Sequence, residues 1–277
     1  MLCVRLAGGL GNQIFQLAAA LRLRERNSER IALYTEGLSN YSVSRDFELA
    51  KFFDLPRLGV LVDDFSEMQR FLIKNRIGRW PILGCSDNNY HKYLISLEQR
   101  RDVFLDGYFQ TVWNQEAFDD ICQELSLALK PDAKRLRGSL IIHVRGGDFR
   151  SIPNLNICSF DWYAKAVNFA LSKNPEISCV SVTSEDQFYA KELVIFLSSK
   201  CDKEILLRPN GSSLADFQYL MSQENMVIGN STFSFWASAL NNNSKICIAP
   251  SHFSREVMRL PFITKETLMD IDHNSNT

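Results

Sequence analysis

The sequence predicts an α/β protein of two domains, and three observations carry that prediction. The second half alternates short β-branched apolar runs with amphipathic stretches of helical length, the pattern of a parallel sheet covered by helices. The first sixteen residues read as a strand to Leu6, a turn at Gly8, Gly9 and Gly11, and then a helix. At 277 residues the chain is long enough to bury two cores.

In chain order, the first half offers strands at 2–6, 31–34 and 102–106 and helices at 12–26, 65–77 and 114–129. Ile14, Leu17, Ala18 and Leu21 share one face of the first helix. Lys130-Pro131-Asp132, with the basic residues that run on to Arg137, is the predicted boundary. Proline stops the preceding helix, and charged residues suit an exposed link. The second half offers strands at 139–145, 178–183, 204–207, 225–229 and 245–249 and helices at 160–173, 186–199, 213–222 and 231–241. The expected domains are therefore 1–132 and 133–255. Segment 256–277, helical after Pro261, is expected to pack back on the first domain, and the polar tail from His273 is expected to be mobile.

Hydrophobic content of 45% and charged content of 23% are those of a globular protein. A net charge of −1 gives no electrostatic basis for a nucleic-acid partner. The apolar runs are too short to span a bilayer, and the N-terminus enters a strand rather than a basic-then-apolar leader. The seven cysteines are scattered with no C-x-x-C pair, which suggests neither zinc nor a disulfide framework and fits a reducing cytoplasm. Met68–Pro81 mixes apolar and basic residues at helical spacing. A packed helix with a basic solvent face is the favoured reading, and contact with an anionic membrane surface is the alternative.

Three segments carry candidate chemistry. The apolar run from Ser139 ends in His143, Arg145 and Asp148, with the turn glycines Gly146 and Gly147 among them. Ligands of open α/β sheets bind beyond the carboxyl ends of strands. A guanidinium there suits a phosphate, because its planar fork donates paired hydrogen bonds. An Arg145–Asp148 pair that merely pins the turn is the competing reading. In the opening segment, glycines admit a ligand close to the backbone, and Asn12 either caps the helix or enters a site. The spacing is not G-x-G-x-x-G, so no dinucleotide is inferred. In Met226–Leu240, Asn230, Ser231 and Thr232 open a helix. They form an anion site or an ordinary N-cap.

Taken together, Gly8-Gly-Leu-Gly-Asn-Gln-Ile-Phe-Gln16, Asp106-Gly-Tyr-Phe-Gln110, His143-Val-Arg-Gly-Gly-Asp148 and Asn230-Ser-Thr-Phe-Ser-Phe-Trp236 resemble, in order, the motifs of the α-1,2-fucosyltransferases, glycosyltransferase family 11. The resemblance runs from residue 1 to about residue 255, and the bacterial members are nearest in length. It implies a GT-B fold, two Rossmann-like domains facing across a cleft, with GDP-fucose on the second and the acceptor site shaped by the first. It also implies inverting, metal-independent transfer of L-fucose from GDP-β-L-fucose to the 2-hydroxyl of a terminal galactoside. The setting implied is bacterial O-antigen or surface polysaccharide synthesis, on an acceptor that is lipid-linked in one reading, in the cytoplasm or peripherally on the inner membrane. One position departs from the pattern: Gly146 stands where the family usually has a second arginine.

The residue roles follow from that resemblance and from the chemistry. Negative charge grows on the departing β-phosphate of an oxocarbenium-like transition state, and fixed cations and amides or a metal must stabilise it. Arg145 is assigned to that charge, His143 to the nucleotide, and Gly11 and Asn12 to the donor, with Asn12 at the phosphate or glycosidic oxygen. Ser231 and Thr232 are assigned to the phosphate oxygens, and Asn230 and Phe233 to the donor. Asp216 is assigned to guanine, with Asp186 as its competitor. Asp148 is the candidate general base, or else orients Arg145. No metal or other cofactor is expected. The only Asp-x-Asp is Asp270-Ile-Asp272, at the end of the chain, and the pairs Asp63-Asp64 and Asp119-Asp120 fall at predicted helix ends. Gly146 leaves open a catalytically weak or inactive protein that binds a GDP-sugar without transferring it; a third reading is a transferase of another fucose linkage or another nucleotide sugar.

Overall fold

The computed structural model describes residues 1–27, 30–36, 38, 45–74, 83–95, 103–130, 135–259 and 266–271. The chain divides into two compact units, Met1–Lys130 and Pro131–Thr277. Of the predicted boundary 130–137, residues 131–134 lie outside the described residues.

The first unit runs β1 (Leu2–Arg5), α1 (Leu10–Asn27), β2 (Ile31–Tyr34), α2 (Leu49–Phe52), β3 (Val60–Val62), α3 (Glu67–Lys74), β4 (Leu83–Cys85), α4 (Tyr90–Ile95), β5 (Val103–Leu105) and α5 (Gln115–Ala128). Its described strands form a parallel sheet in the order β3-β2-β1-β5-β4. β2 is buried throughout, as expected of a strand in a parallel sheet covered on both faces. The predicted face of α1 is buried, and so are Phe15, Ala19 and Ala20. The helix packs against α2, α4 and α5 as well as the sheet, so one apolar stripe understates its burial.

Sequence reasoning missed α2, β3, β4 and α4, each three to six residues long, because so short a run carries no readable period. Asp119 and Asp120 lie inside α5 rather than at its end, which corrects their expected placement. Of the predicted helix 65–77, the described part is α3, with Met68 and Phe71 exposed; residues 75–82 lie outside the described residues.

The second unit runs β6 (Leu136–His143), a 3-10 turn (Gly147–Ser151), α6 (Phe160–Lys173), β7 (Cys179–Thr183), α7 (Gln187–Ser198), β8 (Glu204–Leu207), α8 (Ser213–Met221), β9 (Gln223–Ile228), α9 (Thr232–Ala239), β10 (Ile246–Pro250), the hairpin β11 (His252–Ser254) and β12 (Val257–Met258), and β13 (Glu266–Met269). The sheet order is β13-β10-β9-β6-β7-β8, all parallel. From β6 the chain winds outward through β7 and β8, then returns to β9 on the other side of β6. α6 packs with α7, and α8 with α9. Neighbours β6 and β9 thus form a topological switch point, where connections leave in opposite senses and open a crevice at the carboxyl edge.

β13 corrects an expectation. Residues 266–269 join the second sheet, with Ile248 paired to Thr267, instead of returning to the first unit. A buried ion pair helps to fix them there. Arg259 donates to Glu266 at 2.8 Å, with its guanidinium near the rings of Phe235 (4.9 Å) and Phe253 (5.1 Å). A buried charge requires such a partner. The helix expected after Pro261 is a strand where it is described, at Glu266–Met269; residues 260–265 and the tail from His273 lie outside the described residues.

Candidate active site

The carboxyl end of β6 is tied on both sides. The Val144 amide donates to the Thr183 carbonyl at 2.9 Å, and the Gly229 amide to the His143 carbonyl at 3.0 Å. His143 is 7% exposed, and its ring stacks on Phe233 at 5.8 Å. Phe233 meets Phe217 edge-on at 5.3 Å. Burial, and then the nearby Arg145 charge, lower the His143 pKa to about 3, so the ring is neutral. Its Nδ1 is buried with no hydrogen-bond partner among the described residues. Leaving such an atom unpaired costs about 1–3 kcal/mol.

Arg145 lies two residues beyond. It donates to Asp148 at 2.7 Å and to Glu185 at 2.5 Å, and its guanidinium lies over the Phe149 ring at 4.5 Å. The turn-pinning ion pair therefore exists. Glu185, a second carboxylate on the same cation, was not foreseen. The Arg145 side chain keeps 18% of its surface exposed. Tyr163, also missed, is buried on α6 and hydrogen-bonds the Arg145 backbone; burial pushes its pKa well up.

Gly146 has a steric cause. A Cβ there would sit 2.5 Å from the Cβ of Asp186. Asp186 caps α7 by accepting from the Tyr189 amide at 3.0 Å, and it also accepts from the Gly147 amide at 3.1 Å. The Tyr189 amide foremost, then the Gly147 amide and Arg150, hold its carboxyl below the usual range against the opposing effect of burial. The competing candidate for guanine is thus a helix cap.

At the end of β9, Asn230 Nδ2 donates to the carbonyls of Leu155 (2.8 Å) and Phe253 (2.9 Å), tying two loops together. Ser231 caps α9 by accepting from the Phe233 amide at 3.3 Å, and Thr232 opens the helix. Asp216 accepts from Arg208 at 2.5 Å and from the Gly211 amide at 3.1 Å, while the Arg208 guanidinium lies 4.1 Å from the Tyr219 ring centroid. Arg208 was overlooked. Its signal was available, since it follows the apolar strand 204–207 and precedes Pro-Asn-Gly, much as Arg145 follows its own strand.

The two motifs of the first unit form one structure. Gly11 and Asn12 lie in the first turn of α1, and Gln110 Nε2 donates to Asn12 Oδ1 at 3.1 Å. Gln13 is buried and bonds the Gly8 carbonyl (3.1 Å), the Asp46 carbonyl (2.9 Å) and the Glu48 amide (3.1 Å). Gln16 accepts from the Ala7 amide and donates to the Gly107 carbonyl, both at 3.0 Å. Arg5 pairs with Asp106 at 3.0 Å.

Comparison with known proteins agrees with this architecture. The model for "Glycosyl transferase family 11" matches residues 1–267. An α-1,2-colitosyltransferase of Escherichia coli is 26% identical over 272 residues, covering 91% of this chain and 92% of its own. The O-antigen biosynthesis glycosyltransferase WbnK of Escherichia coli is 24% identical over 289 residues, covering 88% and 92%. Among solved structures, POFUT1 in complex with GDP matches with a TM-score of 0.54 at 12% identity, over 90% of this chain and 97% of its own. Fucosyltransferase NodZ from Bradyrhizobium matches at 0.51 and 14%, over 89% and 93%. NodZ soaked with GDP-fucose matches at 0.51 and 13%, over 90% and 94%. The fold is of the GT-B type shared with these fucosyltransferases, and the chain belongs to glycosyltransferase family 11.

Proposed function

We propose that the protein transfers L-fucose from GDP-β-L-fucose to the 2-hydroxyl of a terminal galactoside, with inversion and without a metal ion, in the synthesis of a bacterial O-antigen or related surface polysaccharide. One observation carries this reading. The switch point between β6 and β9 gathers Arg145, the unpartnered His143 Nδ1, the Phe233 ring and the start of α9. A guanidinium fork and a helix N-terminus suit a diphosphate.

As the acceptor hydroxyl attacks the anomeric carbon, the bond to the β-phosphate oxygen breaks on the opposite face, GDP leaves with the electron pair, and the hydroxyl proton is released to solvent. Arg145 exchanges carboxylate for phosphate and takes up the growing charge, assisted by Ser231 and Thr232 at the start of α9, with the Phe233 ring beside His143. Neutral His143 gives Nδ1 to the nucleotide. Asp216, held by Arg208 and Gly211, faces N1–H and the 2-amino group of guanine. Asp148, bound to Arg145, takes the orienting role. Asn230 shapes the loop, and the family resemblance adds Gly11 and Asn12 to the donor set.

The test is NMR of the protein with GDP-fucose and a panel of β-galactosides in EDTA. An α-fucosyl anomeric signal correlated to galactose C2 is expected. Donor binding without hydrolysis or transfer would overturn the enzyme reading. A second reading, favoured by the name of the colitosyltransferase relative, makes colitose the transferred sugar. Preferential consumption of GDP-colitose in competition with GDP-fucose would establish it. No described helix is long and apolar enough to cross a membrane. A lipid-linked acceptor and peripheral contact with the inner membrane belong to the same proposal, checked by co-sedimentation with anionic vesicles.

A further inference from the structure

The motif Asp106–Gln110 has no part in the donor chemistry above, yet its loop is held more tightly than a connection requires. Phe109 adopts φ +54, a conformation that residues other than glycine seldom accept. Its amide donates to Asp87 Oδ1 at 2.6 Å, its carbonyl accepts from Trp113 Nε1 at 2.7 Å, and its ring is buried against Tyr90. The Tyr108 amide donates to Asp87 Oδ2 at 3.0 Å. Gly107 lies so close to Asp87 that a Cβ would collide with its carboxylate, and the Gly107 carbonyl accepts from Gln16. These contacts fix the backbone on both sides of Tyr108, which stays 37% exposed. Strain maintained by surrounding structure clusters at ligand sites.

The chemistry at this edge is that of a neutral sugar site. Tyr108 offers an apolar ring with a polar end. Asp106 is fixed by Arg5, keeps 31% of its side chain exposed, and has its charge balanced by that arginine. The Asn12–Gln110 amide pair follows the adjacent strand ends of β1 and β5. Amides and carboxylates match the donors and acceptors of hydroxyl groups, while a tyrosine face matches the C–H face of a pyranose. We propose that Tyr108 is the platform for the galactose ring of the acceptor, with Asp106 accepting from its hydroxyls. The proposal rests on the galactoside-transfer reading and deepens it by naming the residues that hold the acceptor.

The test measures binding of methyl β-D-galactopyranoside by saturation-transfer NMR in the presence of GDP, for wild type and for Tyr108→Ala, Tyr108→Leu and Tyr108→Phe. Tm and GDP affinity are measured alongside. Loss of an aromatic partner weakens galactoside binding about five- to tenfold in the Ala and Leu variants. Tyr108→Phe stays within about twofold of wild type, and GDP affinity is unchanged in all three. An Ala variant that binds the sugar like wild type overturns the proposal, as does a wild type that shows no galactoside binding. Should the Ala and Leu variants fail to fold, protein deuterated except at tyrosine rings decides. Saturation reaches the galactose ring protons in wild type and drops in Tyr108→Phe; an unchanged signal overturns the proposal. If the variants lose the sugar while wild type turns over no GDP-fucose, the platform stands and the fucosyl-transfer reading falls.

Discussion

The carboxyl edges of the two sheets are built on the same plan and set with different chemistry. In the second unit, β6 and β9 send their chains to opposite sides, and the crevice that opens holds a cation, an imidazole and a helix start. In the first unit, β1 and β5 are also neighbours, but α1 and α5, which follow them, pack against each other. Its loops are closed by Gln13, Gln16 and Gln110, and what remains accessible is a surface carrying Tyr108. One edge gathers charged and aromatic groups, and the other is tied by side-chain amides around a partly exposed tyrosine. An anion needs converging donors and exclusion of water, which a pocket supplies; a neutral sugar can be held on a flat face.

The largest test of this contrast is Arg145→Ala. A loss of about 10²–10³ in kcat/KM is expected, the usual cost of removing a donor to transition-state charge. A loss below about fivefold in steady-state kinetics would remove Arg145 from the leaving-group role. Next is Gly146→Arg, which introduces the family's usual residue into the space of the Asp186 cap. It is expected to destabilise the fold by about 1–3 kcal/mol, read as a lowered Tm, with no gain in turnover. A faster, equally stable variant would show that the cap yields. Asp216→Asn is expected to weaken GDP binding about tenfold or more by calorimetry, since hydrogen bonds to a charged group are the strong ones; unchanged affinity would move guanine elsewhere.

His143 sharpens the comparison through pH. Its folded pKa of about 3 lies below the unfolded value. Its stabilising contribution is therefore complete above about pH 6.5, and declines by up to ~1.4 kcal/mol per unit as pH falls toward 3. Denaturant unfolding at pH 7 and 5 should show a larger loss for wild type than for His143→Gln, and equal losses would contradict a buried neutral ring. The smallest effect is Gln110→Ala, about 0.5–1.5 kcal/mol of stability for one partly buried bond. A much greater loss would make the amide network, and not the apolar core, the main support of that edge.

Much of the second unit could be read directly. Its alternation of apolar strands and amphipathic helices repeats at readable lengths, and helix ends are marked by Ser159, Asp186, Ser212 and Ser231, each of which caps as its residue type suggests. The first unit was less legible, because its short elements depend on partners distant in sequence. Among the candidate site residues, His143, Arg145 and Phe233 meet at one edge. Asn230 and Ser231 turn out to be engaged within the fold, and nothing local in the sequence distinguishes a cap from a ligand.

The sequence by itself determined the α/β alternation, the order of the motifs and the strand-end placement of the charged residues. Those follow from periodicity and turn chemistry, which act over a few residues. Only the tertiary structure decided that Arg145 is shared by Asp148 and Glu185, that Asp186 occupies the space beside Gly146, and that Glu266 is drawn into the second sheet by Arg259. Each of these joins groups brought together by packing, where burial makes an unpartnered charge or an overlapping atom costly. That cost depends on neighbours that no local window of residues contains.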